Sequence, residues 1–320
     1  MLGLGRRDGL ERHIRPYRNG RDLLQISRNA MVVDFFGLSE EDVRQRFPEA
    51  YQHLWRTVRI ARKKVVEDAI EEHGRATKDA EAYLQLWWIF GKPRPDLRAA
   101  LQNVSRYIAT VETSKHRVFE FLDVSVLPDN KLVAIGTQDP FVLGVLSSRV
   151  HRSWYLANAG MIGVYNEKAV YVKTACFDPF PFPDAALENR ERIGALAEEL
   201  DSTRKQALAE VPRLTMTEIY NWRERIAAGE QLAGNDLDRA TAARAFIVHR
   251  LHEQIDGAVA GPTAGRPISL RRRSSPASSR STTSARRRRR PARFAGFVRI
   301  IRTRGSHGNR KRFPTANQLG

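Results

Sequence analysis

The end of the chain differs in composition from everything before it. No aspartate or glutamate follows Asp256, whereas 17 of the 54 lysine and arginine residues lie between Arg266 and Arg312. Residues 261–320 contain runs such as SLRRRSS and SARRRRRPAR, which carry too little apolar surface to form a core, and we therefore expect this tail to be disordered. A compact fold has to be built from residues 1–260.

Two interpretations of this tail stay open. Clustered arginines bind the phosphates of nucleic acids, which favours a basic arm. The alternative is a frameshift product, because the codons of PTAGRPIS and FAGFVRII can be chosen so that the neighbouring frame encodes YGWPADL and VRWVRPDY, which look like natural protein ends. Under either interpretation the net charge of +18 comes from the tail. Without the 17 basic residues of the tail, 37 of the 54 basic residues remain, against 36 acidic ones, so the rest of the chain is nearly neutral.

The rest of the composition excludes several classes of protein. Hydrophobic residues make up 42% of the chain, which is enough for an ordinary core. No apolar run approaches the roughly 18 residues that span a bilayer, and the start MLGLGRRDGL lacks the apolar segment of a secretory signal. Cys176 is the single cysteine, which excludes a disulfide framework and a cysteine-rich zinc site. We expect a cytoplasmic protein without a membrane partner.

A short strand and a long, kinked helix are predicted early in the chain. AMVVDFF, residues 30–36, is an apolar run rich in β-forming residues and is typical of a buried strand. Ser39 with Asp42 three residues later forms the pattern of a capping box, and Pro48 should break or kink the helix that follows. The apolar positions that recur at helical spacing in this helix are Leu54, Val58, Ala61, Val65 and Ile70.

The middle of the chain predicts strands, then a helix. The segments typical of strands are WWIFG (87–91), RYIATVE (106–112), RVFEFLDVSVL (117–127) and KLVAIGT (131–137). Pro128-Asp129-Asn130 should supply the turn of a hairpin between the last two strands. Asp139 followed by Pro140 predicts the start of a helix that runs to about Gly160.

The last part before the tail changes from strands to helices. Ala169–Lys173 predicts one more strand, and the prolines of Phe177–Pro183 predict an extended segment. Three helical stretches then follow, at residues 186–210, 215–228 and 236–259. We therefore predict a mixed α/β domain followed by a small helical bundle and a disordered basic tail. The predicted divisions are a linker remnant at 1–12, the α/β domain at 13–183, the helical domain at 184–260 and the tail at 261–320.

The motifs of common nucleic-acid chemistry are missing from the sequence. No two prolines are adjacent, which excludes the N-P-P-Y type loop of amino-methylating DNA enzymes, and no G-x-x-x-x-G-K phosphate loop occurs. The carboxylates do not cluster with a lysine as a nuclease requires, and the histidines lack the spacing of a zinc helix. We therefore expect no catalytic residue and no metal site on this chain.

Polar and basic residues at the ends of predicted elements are the candidates for binding. They are Lys115, His116 and Arg117 between two strands, Arg149, His151 and Arg152 on the long helix, and Tyr165, Asn166, Glu167 and Lys168 before the last strand. Arginine and lysine bind guanine edges or phosphates, asparagine binds adenine, and glutamate accepts a hydrogen bond from cytosine. Taken singly, each of them is more often a solvated surface residue.

Several strings resemble the C-terminal half of the MmeI-like class of type II restriction–modification enzymes and their adenine-specific methyltransferase relatives. They are HIRPYRNGRDL (13–23), LWWIFGKPRPDLR (86–98), RYIATVETSKHRVFEFLD (106–123), LVAIGTQDPFVLGVL (132–146), LGVLSSRVH (143–151) and CFDPFPFP (176–183). The resemblance runs in order from about Leu4 to Val259. The neighbouring-frame peptides YGWPADL and VRWVRPDY also resemble the natural C-terminus of that class.

The resemblance implies a function in DNA recognition. In that class a methyltransferase domain, preceded by a nuclease where one is present, transfers a methyl group from S-adenosylmethionine to adenine, and a target-recognition domain and a helical tail follow. This chain resembles the part from the recognition domain onward, so the implied partner is double-stranded DNA. Methylation would require a methyltransferase domain on another chain, and we expect neither S-adenosylmethionine binding nor independent activity here.

The resemblance also orders the candidate residues. Base readers of the class lie just before the FPFP element, which corresponds to Gly163–Lys173, and the predicted base contacts are Tyr165, Asn166, Glu167, Lys168 and Lys173. The residues predicted to contact the DNA backbone or to support the site are Arg149, His151, Arg152, Lys115, His116 and Arg117. Arg18 and Arg21 should lie at the junction with the catalytic domain, and contact with a DNA phosphate is the lesser alternative for both. Two rival hypotheses are a sequence-nonspecific binder that acts through the arginine-rich tail, and a gene remnant without function.

Overall fold

The chain begins with short elements around a small sheet. A computed structural model describes residues 3–162, 168–261 and 300–302. Its first elements are a 3₁₀ turn at Leu10–His13, strand β1 (Ile14–Arg18), helix α1 (Gly20–Leu24) and strand β2 (Met31–Val33). A strand was predicted within residues 30–36 and β2 occupies three of them, but it is not buried as expected, since Met31 is 53% exposed. β2 pairs antiparallel with β1, Ile14 lying opposite Val33.

A run of helices follows, and its beginning matches the sequence signals. The helices are α2 (Glu40–Arg46), α3 (Pro48–Leu54), a π-helical turn (Trp55–Arg59), α4 (Ile60–His73), α5 (Lys78–Gln85) and α6 (Pro95–Ala100). Ser39 and Asp42 form the predicted capping box, in which each side chain accepts a hydrogen bond from the other residue's backbone N–H. The predicted break falls at Pro48, which begins α3.

The buried face of this long helix is not the one that regular helical spacing indicates. Val66 is buried, whereas Val65 and Ile70 are 40% and 49% exposed. The π-helical turn at Trp55–Arg59 contains more residues per turn than an α-helix. Residues after it are therefore rotated, and the buried position moves from residue 65 to residue 66.

An aromatic cluster forms the core of this N-terminal region. Its buried members are Leu10, Phe35, Val43, Phe47, Ala50, Tyr51 and Trp87. Trp88 packs against it, and its indole N–H donates to the Leu38 carbonyl at 3.0 Å. The strand predicted for residues 87–91 is wrong, because the segment forms a turn. Successive side chains of a strand point to opposite faces, and here both indoles pack on one cluster.

A second sheet lies at the centre of the described chain. Its strands are β3 (Arg106–Val111), β4 (Glu120–Asp123) and β6 (Leu132–Ile135), while β5 (Leu127–Pro128) pairs in parallel with β1. β3 lies between β4 and β6 and is antiparallel to both, so the hairpin predicted between the last two strands is wrong. The turn itself is present, since the Asp129 carboxylate accepts a hydrogen bond from the Lys131 backbone N–H at 2.8 Å. This turn joins β5, the strand that pairs with β1, to β6.

Two helices and a hairpin follow the sheet. α7 (Pro140–Ser147) begins as predicted, with the Asp139 carboxylate accepting from the Phe141 N–H at 2.9 Å. The single helix predicted to Gly160 is two helices, because Ser148 has extended backbone and its side chain caps α8 (Arg149–Asn158). Strands β7 (Gly160–Ile162) and β8 (Lys168–Val170) then pair antiparallel.

The segment after β8 departs from the predictions for it. The strand expected over 169–173 ends at Val170, and a π-helical turn occupies Lys173–Phe177. The extended path predicted from Phe177 starts only after a turn, in which the Phe180 N–H donates to the Phe177 carbonyl at 2.9 Å. Trp154 on α8 stabilises the π-helical turn by donating to the Cys176 carbonyl at 3.1 Å.

Helices complete the described part of the chain. They are α9 (Leu187–Glu210), α10 (Met216–Ala227), α11 (Gly234–Ala242) and α12 (Ala245–Ala260). The first two correspond to predicted helices, and the third predicted stretch is divided in two at Arg244, which has a left-handed φ of 54°. The mixed α/β architecture followed by helices is confirmed.

One continuous core joins the sheet to these helices, and we call it the central core. It includes Ile108 and Phe121 from the sheet, Phe119 just before β4, Phe141, Val145 and Leu146 from α7, and Ile193, Leu200, Ile219, Val248 and Ile255 from α9, α10 and α12. Gly144 of α7 allows the close approach of α9, because a Cβ there would lie 2.5 Å from the Ile193 side chain. Residues on both sides of position 183 therefore share buried surface.

Little of the predicted tail lies within the described residues. Gly261 follows α12, and strand β9 (Ile300–Arg302) pairs antiparallel with β6 at the edge of the central sheet. The two interpretations of the tail concern residues 262–299 and 303–320, which lie outside the described part. Of the helices that the structure describes, none combines the length and the hydropathy needed to cross a membrane.

Candidate nucleic-acid interface

The β7–β8 hairpin carries the residues predicted to contact bases. Ile162 pairs with Lys168 at the outer end of the described ladder, so Lys168 lies next to the tip. Tyr165, Asn166 and Glu167 belong to residues 163–167, which lie outside the described residues. The hairpin base is attached to the end of β3, because Val170 pairs with Thr113.

His151 lies in the core directly below this hairpin base. Its ring is fully buried, and its Nε2 lies 2.9 Å from the Tyr171 hydroxyl, one residue beyond β8. The Phe180 ring packs edge-on against it, with centroids 4.5 Å apart. Burial and the nearby Arg117 charge lower the pKa of His151 to about 3, so the imidazole is neutral at pH 7. This position fits the supporting function predicted for His151 and leaves no surface for DNA contact.

Arg117 also faces inward. Its guanidinium donates to the Val111 carbonyl and to the Thr110 hydroxyl, the latter at 3.1 Å. It lies over the ring of Tyr171, 5.0 Å from the centroid, and over that of Tyr155, at 5.2 Å. Burial lowers the pKa of Arg117. Its interactions hold the end of β3 against the hairpin base, which again corresponds to the supporting alternative.

Lys115 and His116 bind instead to helix α10. The Lys115 ammonium lies 2.9 Å from a Glu224 carboxylate oxygen and donates to the Asn221 side-chain oxygen at 3.0 Å. The His116 Nε2 lies 2.8 Å from the same oxygen of Asn221. Burial lowers the pKa of His116, although the Asn221 hydrogen bond opposes this. The loop between β3 and β4 is thereby fixed to α10.

Arg149 and Arg152 occupy the first turn of α8. The Arg149 side chain is 78% exposed, and its backbone N–H donates to the Asp256 carboxylate of α12 at 2.5 Å. Arg152 is exposed, and its charge adds slightly to the Lys115 hydrogen bond, which is the main cause of the lowered pKa of Glu224 on α10. Lys173 lies on the π-helical turn after the hairpin, where its ammonium is 3.8 Å from the Asp178 carboxylate.

The two predicted junction residues lie in the N-terminal region. Arg18 ends β1, and one of its guanidinium nitrogens donates to the Asn29 side chain at 3.3 Å. Arg21 is exposed on α1. α1 packs on α10, where the Thr217 hydroxyl donates to the Leu24 carbonyl at 2.9 Å. Their predicted contact with a catalytic domain stays a prediction.

The structure thus divides the candidates into two groups. Lys115 and His116 bind α10 and Arg149 binds α12, whereas His151 and Arg117 are buried beneath the base of the hairpin. α8 has 10 residues, which is about 15 Å of helix. The sequence did not indicate Asn221 of α10, whose side-chain oxygen lies within hydrogen-bond distance of both Lys115 and His116, because a polar position on a helix surface carries no sign of what it faces. In the described part of the chain, no three histidine, cysteine or acidic residues converge as metal ligands.

A fold of this kind occurs in a DNA restriction–modification enzyme. The solved structure is that of the type IIL restriction-modification enzyme MmeI in complex with DNA, which matches with a TM-score of 0.54 at 16% sequence identity. The match covers 80% of this chain and 29% of that chain, so the present chain spans less than a third of MmeI. At this identity the likeness concerns the fold alone. No protein-family model matches the sequence, and neither does any curated protein.

Proposed function

We propose that this chain is the DNA sequence-recognition portion of a site-specific adenine DNA methyltransferase or restriction–modification enzyme. The observation that carries the proposal is the fold match to MmeI, a DNA-bound enzyme, over 80% of the chain. The strings that resemble the MmeI-like class supply second support, because RYIATVE, LGVLSSRVH and CFDPFPFP lie on the elements that surround the hairpin.

In this proposal the hairpin reads base edges in a groove of the duplex. Asn166 can bind adenine through two hydrogen bonds, Glu167 can accept from cytosine, and Lys168 can donate to guanine. Tyr165 adds a flat side chain, and Lys173 lies at the foot of the hairpin. Contacts to the sugar–phosphate backbone fix the register of the protein on the duplex, while base contacts provide the specificity.

The methyl-transfer step is assigned to a domain on another chain. S-adenosylmethionine needs a glycine-rich turn between a strand and a helix, and the residues described here do not fit it. Gly3 and Gly5, the only Gly-x-Gly pair of the sequence, follow no described strand and precede a 3₁₀ turn. We therefore expect neither cofactor binding nor methylation by this chain alone.

Selection from a randomised duplex pool tests the proposal. The full chain should enrich a short motif, and Asn166→Ala should relax the preference at one base pair, a change worth about 1–3 kcal/mol of discrimination. Asn103→Ala is the matched control, since Asn103 is an exposed asparagine in the turn before β3. A pool without enrichment would contradict the proposal, and equal weakening of all sequences by Asn166→Ala would exclude that residue as a base reader.

A second candidate function is sequence-nonspecific binding through the tail. It is favoured by the 17 basic residues between Arg266 and Arg312. Replacing the five arginines at 286–290 by glutamine should then abolish most of the affinity and flatten its salt dependence. Under target recognition, the enriched motif should survive this replacement. A gene remnant, by contrast, should show no cooperative unfolding transition.

A further inference from the structure

One face of α8 consists of exposed side chains, and we call it the outer face. Its members are spaced three or four residues apart, namely Arg149, Arg152, Ser153 and Leu156. Side chains at these intervals lie next to one another on the surface of a helix. The outer face is therefore one continuous strip about two turns long.

The packing of α8 fixes the direction of its outer face. His151 and Tyr155 are buried on the other side of the helix. Trp154 packs against the central core, and its indole N–H donates to the Cys176 carbonyl at 3.1 Å. The first turn is also held, because the Asp256 carboxylate of α12 accepts from the Arg149 backbone N–H at 2.5 Å. The outer face is thus directed away from the core.

The outer face carries positive charge. α8 contains no aspartate or glutamate, whereas two of the four outer-face side chains are arginines. The Arg149 side chain is 78% exposed, and its Nε lies 3.8 Å from the Asp256 carboxylate, near the 4.0 Å limit of an ion pair. Among the described residues, the Arg152 guanidinium has no carboxylate oxygen within that limit. Both guanidinium groups therefore keep N–H donors that can bind an anion.

The outer face is continuous with the hairpin that carries the predicted base readers. α8 ends at Asn158 and β7 begins at Gly160, so a single residue separates the helix from the strand. Arg152 precedes Asn158 by six residues, which is roughly 9 Å along the helix axis. The major groove is about 12 Å wide, so Arg152 is nearer to the base of the hairpin than the width of this groove.

The chemistry of the outer face fits a phosphate backbone better than a protein surface. A guanidinium group can bind phosphate oxygens through two parallel N–H bonds, and a serine hydroxyl can donate to a phosphate oxygen. Leu156 is the only apolar member of the face and is 45% exposed. A protein interface generally has a larger apolar centre with few charges. The charge and the polarity of the face therefore favour an anionic, extended ligand.

We propose that the outer face of α8 binds the sugar–phosphate backbone of the duplex whose bases the hairpin reads, through Arg149, Arg152 and Ser153. This inference rests on the proposed function and deepens it, because it assigns backbone contacts to one helix face. Lys115 and His116 are outside this surface, since their side chains bind Asn221 and, for Lys115, Glu224 of α10.

Binding of the full chain to a random-sequence duplex over a range of salt concentrations tests this surface. Arg149→Gln and Arg152→Gln should each lower the affinity roughly tenfold, uniformly across sequences. In the double variant the slope of log K against log salt should become shallower by about 1.8, which is about 0.9 for each lost phosphate contact. The tail is the same in all variants, so the difference in slope reports the outer face alone.

The control for the double variant removes the same charge elsewhere. Arg75, in the turn after α4, and Arg192, on α9, are exposed arginines without a partner among the described residues. The double variant Arg75→Gln/Arg192→Gln should keep the wild-type slope. Lys115→Gln should keep it as well, although it also removes a positive charge from an exposed side chain.

A second kind of variant adds a negative charge and leaves both arginines in place. Ser153→Asp should lower the affinity for the same duplex roughly tenfold, because its carboxylate would face the phosphates. Ser202→Asp is the matched control, since Ser202 is an exposed serine within α9. Both substitutions lie at exposed helix positions, so the Tm should fall equally little in both.

The outcomes separate this surface from folding and from the hairpin. A wild-type slope in the Arg149/Arg152 double variant overturns the proposal and leaves the face to a protein partner. An equal change of slope in the Arg75/Arg192 variant or in Lys115→Gln overturns it too, because the effect would then be one of net charge. If the Arg149/Arg152 variant has a lowered Tm, Ser153→Asp decides, and wild-type affinity in that variant overturns the proposal.

Selection of a motif from the randomised pool distinguishes this proposal from the proposed function. An enriched motif with unchanged slopes overturns the outer-face contacts alone. Changed slopes without an enriched motif overturn base reading by the hairpin and support only the phosphate contacts.

Discussion

The N-terminal region, residues 10–101, and the central core bury different kinds of surface. In the N-terminal region four buried aromatic side chains, Phe35, Phe47, Tyr51 and Trp87, share one cluster with aliphatic ones, and several apolar side chains on its long helix are exposed, among them Ile60 and Ile70. The central core is larger and mixes aliphatic and aromatic side chains from the sheet, α7, the hairpin segment and the C-terminal helices. The first region therefore depends more on its connections to the rest of the molecule.

Each region also contains a buried carboxylate that binds arginine, but the two lie in different places. Asp34 lies between β2 and α6, where it accepts from Arg98 at 2.7 and 2.9 Å and from Arg15 at 3.4 Å. Arg15 also donates to the Val124 and Ser125 carbonyls, so this network connects the N-terminal region to the segment after β4. Asp201 and Arg204, in contrast, lie inside the central core. The comparison indicates that ionic groups join regions in one case and fix helix packing in the other.

The largest expected effect is in the central core. Arg204 is fully buried and donates to the Phe119 carbonyl and the Tyr220 hydroxyl, both at 2.9 Å, and to Asp201 at 3.1 Å. Arg204→Ala should lower the free energy of unfolding by about 3–5 kcal/mol, because it removes the buried cation paired with Asp201 and the donor to the Phe119 carbonyl and the Tyr220 hydroxyl. Urea unfolding of the full chain measures this. Lys205→Ala is the control, since Lys205 binds the same carboxylate from an exposed position and should cost much less. Equal losses of unfolding free energy in Arg204→Ala and Lys205→Ala would contradict the expectation that burial makes the Arg204 interactions more stabilising.

A smaller effect, confined to the other region, is expected for Asp34→Asn. The change removes the charge that pairs with two arginines and should cost about 2–3 kcal/mol. Because Trp55, Trp87 and Trp88 belong to the aromatic cluster or pack against it, tryptophan fluorescence should change at lower urea than far-ultraviolet circular dichroism. Asp79→Asn, at an exposed pair with Lys92, should leave both transitions in place. Coincident transitions in Asp34→Asn would mean that the two regions unfold as one.

The smallest effect is pH-dependent and concerns the connection between the regions. Burial acts to raise the pKa of Asp22 on α1, but hydrogen bonds from Arg28 and from the Asn19 N–H outweigh it and lower the pKa to about 2. Because the folded pKa lies below the ordinary value of 3.8, Asp22 stabilises the fold fully above about pH 4 and loses this contribution as the pH falls to 2. The contribution amounts to about 2 kcal/mol.

Unfolding of Asp22→Asn at pH 5 and at pH 2 checks this sign. The variant should be less stable than the wild type at pH 5, and the difference should shrink at pH 2. Asp184→Asn, which changes an exposed aspartate, should show the same small difference at both values. If the difference in stability between Asp22→Asn and the wild type increased toward pH 2, the assignment of the lowered pKa to Asp22 would be contradicted.

Local signals in the sequence predicted local structure well. Ser39 with Asp42, and Asp139 before Pro140, act through hydrogen bonds within three residues, and both helix starts occur where they were predicted. Strand pairing was not predictable in this way. The turn at Asp129 was read correctly, but the partner of β6 depends on β3, which lies 20 or more residues earlier in the chain.

The candidate site shows the same limit. The sequence identified Lys115, His116, Arg149 and Arg152 as polar residues at element ends, and in the fold the first three bind residues of α10 or α12. It could not separate them from His151 and Arg117, which have similar neighbours in sequence but face the core. Ser148 explains the difference for His151, because the helix break there turns the first residues of α8 relative to α7. Burial of this kind depends on contacts far apart in the chain.

The hairpin contributes little to the interior that supports it. Among residues 160, 161, 169 and 170, the strand positions whose burial the structure describes, Ala169 alone belongs to the central core, and Met161 is 45% exposed. The rigid parts, from His151 to Tyr171 and Arg117, lie beneath it. Substitutions along the hairpin should therefore have little cost in folding free energy, so that one scaffold can be adapted over evolution to different ligands by changing only a few exposed side chains.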